Sequence, residues 1–275
     1  MSHAKPVPYV HVDAFTATPL KGNQAAVMLL DSWPDDALLQ AIGAENLFAE
    51  TAFLVPDASG AAAYELRWFT PELEVRLCGH ATLASGHVLL QRDAGLDRVT
   101  FRTRKAGVLE VRRDGANGYA VGLPAIPTQP GAWDAVIPLL GTATPGEVWQ
   151  SPDRYNILLY ADAAEVAALA PDMKALKALG DHQFICTAPG AGHPGGADVV
   201  SRVFVPGGGV DEDAATGSAH AALTPFWTAR LGRDRFTAHQ ASARGADFTC
   251  RLDGDRAWLG GHCVTVVEGT FLMPG

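Results

Sequence analysis

The sequence predicts an α+β protein of two pseudo-symmetric lobes, each a barrel-like, largely antiparallel sheet wrapped around one central helix. Three observations predict it. Two short stretches resemble each other, Leu77-Cys78-Gly79-His80-Ala81-Thr82 and Ala215-Thr216-Gly217-Ser218-Ala219-His220, and in each a glycine stands where an extended segment turns into a helix. Both of the helices that follow are apolar nearly all round: Ala81, Leu83, Ala84, Val88, Leu89 and Leu90 in one, Ala219, Ala221, Ala222, Leu223, Phe226 and Trp227 in the other. A helix without a polar face is buried on all sides. Finally, the order of elements recurs at an offset of about 138 residues, half of the 275-residue chain, which is the mark of an internal duplication. A curved sheet closed around its own helix buries such a helix economically. Two such lobes are expected to face each other, with both helix starts at one cleft.

The elements follow in order. Tyr9 to Phe15 alternates and reads as a strand, Pro19 to Asn23 as a turn, and Gln24 to Leu30 as a second strand. Pro34 to Gly43 reads as a helix, with Ser32 as its candidate cap and Pro34 in its first turn. Glu50 to Val55 and Tyr64 to Phe69 are strands, and Thr70-Pro71 stops the second. Val99 to Thr103, Gly107 to Arg112 and Tyr119 to Leu123 form a meander after the first buried helix. A Pro/Gly-rich stretch from Pro124 to Gly146 then reads as a linker. It divides the chain into an N-terminal lobe, residues 1–128, and a C-terminal lobe, residues 129–275, whose last strand is free to return to the first lobe. Beyond it the order repeats: a strand at Arg154 to Tyr160, helices at Ala163 to Leu169 and Met173 to Leu179, strands at Gln183 to Thr187 and Asp198 to Val205, then the second buried helix. Pro225 lies inside that helix, where it is expected to kink it or end its regular part. The last strands are Phe236 to Gln240, Asp247 to Leu252, Ala257 to Leu259 and Val264 to Val267.

Composition narrows the function. Apolar residues make up 48% and charged residues 19%, a soluble globular balance. The net charge of −9 and pI near 5.4 argue against nucleic acid and anionic membranes as partners. With no apolar run of spanning length and no signal-peptide core from Met1 to Val10, the expected compartment is the cytoplasm. The four cysteines, Cys78, Cys186, Cys250 and Cys263, make no CxxC pair, so their spacing indicates neither a zinc site nor a disulfide framework.

The candidate chemistry lies at the two helix starts. A helix N-terminus carries N–H groups without intrahelical partners and a partial positive charge, so each start can hold a carboxylate at Gly79 or at Gly217 and Ser218. Glu50 opens a strand between Leu47-Phe48-Ala49 and Ala52-Phe53-Leu54; such a setting would raise the pKa of a carboxyl and suit it to shuttling a proton. A strand-end glutamate in water is an equally good account. His80 can relay a proton, although a histidine there is more often a cap or a packing residue. Asp213, in Asp211-Glu212-Asp213, fits either a site role or a structural cap. Cys78 could serve as a thiolate base, but the matching residue in the second half is Thr216, and a two-thiol racemase needs a second thiol. Ser218 lacks the GxSxG setting of a hydrolase nucleophile.

These pieces carry a resemblance. Val12-Asp13-Ala14-Phe15, Gly22-Asn23, Glu50-Thr51-Ala52-Phe53, Arg67-Trp68-Phe69-Thr70-Pro71, Cys78-Gly79-His80-Ala81-Thr82, Asp213 through His220, and Gln240-Ala241-Ser242-Ala243-Arg244-Gly245 together resemble the phenazine-biosynthesis isomerase-like family, relatives of diaminopimelate epimerase. They span nearly the whole chain. The resemblance implies a diaminopimelate epimerase-like fold, a homodimer, and isomerisation by proton transfer with no cofactor and no metal. It implies Glu50 as the catalytic carboxylate, His80 and Asp213 as supporting polar residues, and Gly79, Gly217 and Ser218 as contacts to a small carboxylate substrate. Two alternatives stay open: a cysteine-based racemase or epimerase, and a non-catalytic small-acid binding protein.

Overall fold

The chain divides into two units in a computed structural model that describes residues 4–274. One unit is the chain through Leu123 together with the chain from Gly260 on; the other is Pro124–Leu259. The first holds β1 (Lys5–Ala14), β2 (Asn23–Leu29), α1 (Asp36–Asn46), β3 (Glu50–Pro56), β4 (Tyr64–Phe69), α2 (Gly79–Arg92), β5 (Arg98–Thr103), β6 (Val108–Asp114) and β7 (Gly118–Pro124). In the second follow β8 (Gln129–Gly131), α3 (Ile137–Leu140), β9 (Glu147–Gln150), β10 (Tyr155–Leu159), α4 (Ala163–Ala167), α5 (Met173–Ala178), β11 (Gln183–Pro189), β12 (Val199–Val205), β13 (Val210–Glu212), α6 (Gly217–Leu231), β14 (Arg235–Gln240), β15 (Ala246–Asp253) and β16 (Arg256–Gly261). The last strand, β17 (Cys263–Met273), lies antiparallel to β1 from Lys5↔Met273 to Ala14↔Cys263. No helix among the described residues is long and apolar enough to cross a membrane.

The duplication is visible in strand direction. In the first unit β2 is antiparallel to β1 and parallel to β3, β3 is antiparallel to β4, β4 is parallel to β5, and β5 is antiparallel to β6. In the second, β10 is antiparallel to β9 and parallel to β11, β11 is antiparallel to β12, β12 is parallel to β14, and β14 is antiparallel to β15. The sheets are therefore mixed and mostly antiparallel, and the fold is α+β as the sequence predicts.

Each unit also repeats one ion clamp. Arg67 on β4 meets both oxygens of Glu74 at 2.8 Å and stands over the Phe69 ring at 5.0 Å. Arg202 on β12 meets both oxygens of Glu212 at 2.7 and 2.8 Å and stands over the Phe204 ring at 4.9 Å. Two parallel N–H···O bonds fix a guanidinium more firmly than a single contact. Sequence comparison of the halves at these strands shows Arg-x-Phe in both, which is the local code for the clamp.

The two glycine-led helices are the buried ones. Every residue of α2 from Gly79 to Leu90 is buried, and the helix packs against β1, β2, β3, β5, β6 and β17. Gly86 sets how close it comes to β6: a Cβ there would stand 2.3 Å from Val111 Cγ1. In α6 all residues from Gly217 to Thr224 are buried, as are Phe226 and Trp227.

Three local expectations are corrected. Pro225 does not end α6, which runs on to Leu231. A proline at that position cannot bond the carbonyl four residues back, Ala221; that carbonyl instead accepts the Ile126 N–H at 3.1 Å. The Pro/Gly-rich stretch is not a linker. It contributes β8, α3 and β9, and its Val136 and Leu140 are fully buried with Phe184, Leu158 and Tyr160. Finally, α1 starts at Asp36 rather than Pro34 and has no side-chain cap.

Candidate active site

The start of α2 gathers a polar cluster within the first unit. Glu50 is the first residue of β3, which lies parallel to β2 with Ala25 opposite Glu50. His80 is the second residue of α2, and Cys78 is its extended N-cap residue. His80 Nε2 lies 3.2 Å from Glu50 Oε2, and His80 Nδ1 lies 3.2 Å from the amide nitrogen of Asn23. An amide N–H is a donor, so Nδ1 accepts from Asn23 and Nε2, on the side of Glu50, carries the ring proton. The Cys78 sulfur is 3.5 Å from Nδ1 and 4.0 Å from Nε2. His80 is 3% exposed and the Glu50 side chain 17%, so the carboxylate is the member of the pair that solvent or a ligand can reach.

Asn23 owes its place to the turn before it. Gly22 has φ +61°, and a Cβ there would stand 2.2 Å from the Ala14 carbonyl oxygen. Only glycine fits, and the turn delivers Asn23 to the head of β2. Gly22-Asn23 was carried by the family resemblance; its role beside His80 had no signal in composition or periodicity.

The surroundings of Glu50 differ from the expectation drawn from its apolar neighbours in sequence. Leu47 sits in the left-handed region with φ 55° and is 77% exposed. Phe53 lies three residues along β3, hence on the opposite face, where it packs with Met28, Leu39 and Phe69. Phe48 stacks on His11 at 4.3 Å between ring centroids. Neither Leu47 nor Phe53 shields the carboxylate; alternation along the strand places Ala52 and Leu54 on its face instead.

The start of α6, in the second unit, is built on a different set. Thr216 is the extended N-cap residue, and its N–H donates to Gln240 Oε1 at 2.8 Å. The Gln240 amide nitrogen in turn donates to the Asp213 carbonyl at 2.6 Å. The Thr216 hydroxyl donates to Asp213 Oδ2 at 2.6 Å. Asp213 thus shapes the loop that leads into α6. Ser218, the second residue of the helix, receives the Gln183 amide nitrogen at 3.1 Å on its hydroxyl oxygen, which leaves its own O–H to donate. His220 is fully buried, bonds the Thr216 carbonyl through Nδ1 at 2.9 Å and stacks on Phe248 at 3.7 Å. Burial pushes its pKa down to about 4, against the raising effect of the Thr216 carbonyl. It is a neutral packing residue at pH 7.

Gln183 is the residue that reading the sequence missed. It opens β11 as Glu50 opens β3, and β11 occupies the same place in the ladder order. Its partner Ser218 is the second residue of α6, as His80 is of α2. Aligning the halves on strand order rather than on the helix motif alone would have found it. The first helix start therefore carries Glu50, Cys78 and His80, and the corresponding places at the second carry Gln183, Thr216 and Ser218.

For a metal, the candidate donors among the described residues are Glu50, Cys78 and His80, whose ligand atoms all lie within 4.8 Å of one another.

Comparison with known proteins identifies the family of the chain. A family model described as phenazine biosynthesis-like protein matches residues 12–269. An uncharacterized isomerase of Pseudomonas aeruginosa is 43% identical over 94% of this chain and 95% of its own length. The crystal structure of a phenazine biosynthesis protein of the PhzF family from Enterococcus faecalis superposes with TM-score 0.86 at 36% identity, covering 97% of this chain and 99% of that one. A phenazine biosynthesis PhzC/PhzF protein from Clostridium difficile superposes with TM-score 0.84 at 37% identity, over 96% and 99% of the two chains.

Proposed function

Because the chain belongs to the phenazine biosynthesis-like family and is an isomerase, we propose that it moves a proton between carbons of a small carboxylate substrate, with Glu50 as its single acid and base. The observation that carries this reading is the 3.2 Å approach of His80 Nε2 to Glu50 Oε2, with Asn23 on the far ring nitrogen. In its ionised form Glu50 takes a proton from carbon; the electron pair moves into the adjacent unsaturated system; the same carboxylic acid then delivers the proton to another carbon. The His80 N–H steadies the carboxylate in its ionised form and holds it in one orientation. Gly79 at the start of α2, and Gly217 and Ser218 at the start of α6, are helix ends that receive carboxylate oxygens. Asp213 acts by holding Thr216 and the loop before α6. The same reading proposes a cytoplasmic homodimer that needs no cofactor.

The test is exchange with solvent. The protein is incubated with a panel of small unsaturated amino and hydroxy carboxylates in deuterated water, and mass gain is recorded. Glu50→Gln keeps the size but cannot accept the proton, so turnover should fall at least about 10²-fold with stability unchanged. Cys78→Ala should cost much less. Exchange abolished by Cys78→Ala and retained by Glu50→Gln would transfer the role to the thiol.

A further inference from the structure

We infer that the free edge of β17 is the surface through which two copies of this chain join, β17 pairing antiparallel with β17 of the second copy about a two-fold axis at Thr270. β17 runs for 11 residues, Cys263–Met273, and β1 lies along one of its edges from end to end. The other edge carries no strand among the described residues. Glu268, Gly269 and Thr270 are exposed, Val267 is 49% exposed and Leu272 66%. Apart from Glu268 the strand has no charged residue, and it has no proline. A long edge of this kind pairs with any strand that reaches it, so folds blunt such edges with prolines, charges or shortness.

Two comparable edges of this chain are blunted. Where the β2 ladder stops at Tyr9, β1 runs on alone on that side and carries Pro6 and Pro8 there. In the second unit β8 stands to β9 and β10 as β17 stands to β1 and β2, antiparallel and outermost. Yet β8 is three residues long, Gln129–Gly131, with Pro130 in its middle. The duplicated frame thus has this edge twice. It is closed off in one unit and left long, uncharged and free of proline in the other, which is the state of an edge that a partner covers.

The prolines also show which backbone groups β17 offers. A proline has no N–H to give to a ladder, so Pro6 and Pro8 face away from β17. They lie opposite Leu272 and Thr270. Opposed residues of an antiparallel pair either exchange bonds or both point away. Leu272 and Thr270, and by alternation Glu268, therefore turn their N–H and C=O groups to the free edge. An antiparallel ladder is symmetric about a two-fold axis, so this edge is complementary to itself. Each copy carries a net charge of −9, and the edge through which two such chains meet has to keep like charges apart. An axis at Thr270 sets that threonine opposite its own copy, a favourable cross-strand pair, and sets Glu268 of each copy opposite Leu272 of the other. The two glutamates then stand four residues apart along the seam, roughly 13 Å, which exceeds the screening length of about 10 Å at 0.1 M salt. The homodimer proposed above names no surface; this one stands on strand geometry and holds whether or not Glu50 carries the chemistry.

The experiment is sedimentation velocity on the whole protein, which should give twice the 28.9 kDa chain mass. Thr270→Pro removes an outward N–H and leaves the β1 ladder whole. Thr270→Lys sets two like charges opposite each other at the axis. Both variants should sediment as monomers with the circular dichroism of the parent, and the peptide spanning β17 should take up deuterium faster in each. Oxidised Thr270→Cys should link two copies, because directly opposed residues about 5.5 Å apart are within disulfide reach; Leu272→Cys should not. A parent protein that sediments as a monomer overturns the proposal. So does a dimer that survives in folded Thr270→Lys, or one whose β17 amides exchange as fast as those of the monomer. If Thr270→Pro fails to fold, Thr270→Lys decides alone, its change being confined to an exposed side chain. A link through Leu272→Cys and none through Thr270→Cys overturns the axis at Thr270.

Discussion

Two buried histidines, one in each unit, should make this fold acid-sensitive before its carboxylates titrate. His87 on α2 is 6% exposed and meets the Thr265 hydroxyl through Nε2 at 2.9 Å; His220 on α6 is fully buried. The other ring nitrogen of each, His87 Nδ1 and His220 Nε2, is buried without a hydrogen-bond partner among the described residues. Protonating it would bury a charge and a donor together. Burial accordingly pushes both pKa values down to about 4. In the unfolded chain a histidine takes its proton near 6.5. Above pH 6.5 both states are neutral and the stabilisation is complete. Between 6.5 and about 4 the unfolded chain binds protons that the folded one refuses, so stability falls with pH; below about 4 the contribution is gone. A drop from 6.5 to about 4 is worth on the order of 3 kcal/mol per histidine. That is a large share of the roughly 5–15 kcal/mol that holds a domain. The paired acidic groups Asp36, Glu74 and Asp198 are held below the ordinary carboxylate range and titrate further into acid. Urea unfolding from pH 7 to pH 4.5 measures the effect. His87→Gln replaces Nε2 with an amide nitrogen, and His220→Asn does the same for Nδ1. Each variant should lose most of the pH slope of its own unit. Variants that keep the wild-type slope would refute the assignment of that slope to these rings.

Other expectations follow from single contacts. Gly86→Ala should lower the melting temperature, because a Cβ 2.3 Å from Val111 Cγ1 overpacks α2 against β6 at a cost of about 1–3 kcal/mol, more than the helix-propensity gain of about 1 kcal/mol; adding Val111→Ala should recover part of the loss. Arg67→Lys and Arg202→Lys each forfeit a two-point carboxylate contact, and each should cost roughly 1.5–3 kcal/mol by urea denaturation, with similar size in the two units. Gln183→Glu should turn the Ser218 hydroxyl from an outward donor into a donor to the introduced carboxylate, weakening binding of a small carboxylate about tenfold at pH 7, with recovery in acid as the new carboxyl protonates; calorimetric affinities that do not change with pH would exclude this role for Gln183.

The parts of the fold legible in the sequence are those set by local pattern. All-round apolarity exposed α2 and α6 as buried, and alternation exposed most strands. What stayed hidden depends on contacts made far along the chain. β1 begins at Lys5 despite Pro6 and Pro8, because the β2 ladder reaches only to Tyr9 and leaves those prolines a side with no partner strand. β17 runs on through Glu268, Gly269 and Thr270, where periodicity fails, because β1 pairs with it to the end. Val136 and Leu140 are sparse apolar residues among prolines and glycines, and only the packed structure makes them core. At the candidate site, residue types were legible and partners were not: nothing local ties Asn23 to His80 or Gln183 to Ser218.

The duplicated frame bears directly on the kind of isomerase this is. Two halves with the same strand order offer two equivalent places for a proton-carrying group. Ionisable residues in both would give the means for two bases, one taking a proton and another giving one. In this chain the first place carries such groups and the second does not: Glu50, Cys78 and His80 correspond to Gln183, Thr216 and Ser218. An amide and two hydroxyls donate and accept hydrogen bonds but do not carry a proton away at neutral pH. Under the proposed function the one carboxyl must therefore both remove and return the proton, and a proton returned by the group that took it arrives on the face it left. The product should carry its new C–H bond on the same face as the lost one, and some of the substrate's own hydrogen should reach the product when turnover runs in deuterated water. A new C–H bond on the opposite face would mean that a second donor delivers the proton, and would point to a two-base reaction instead.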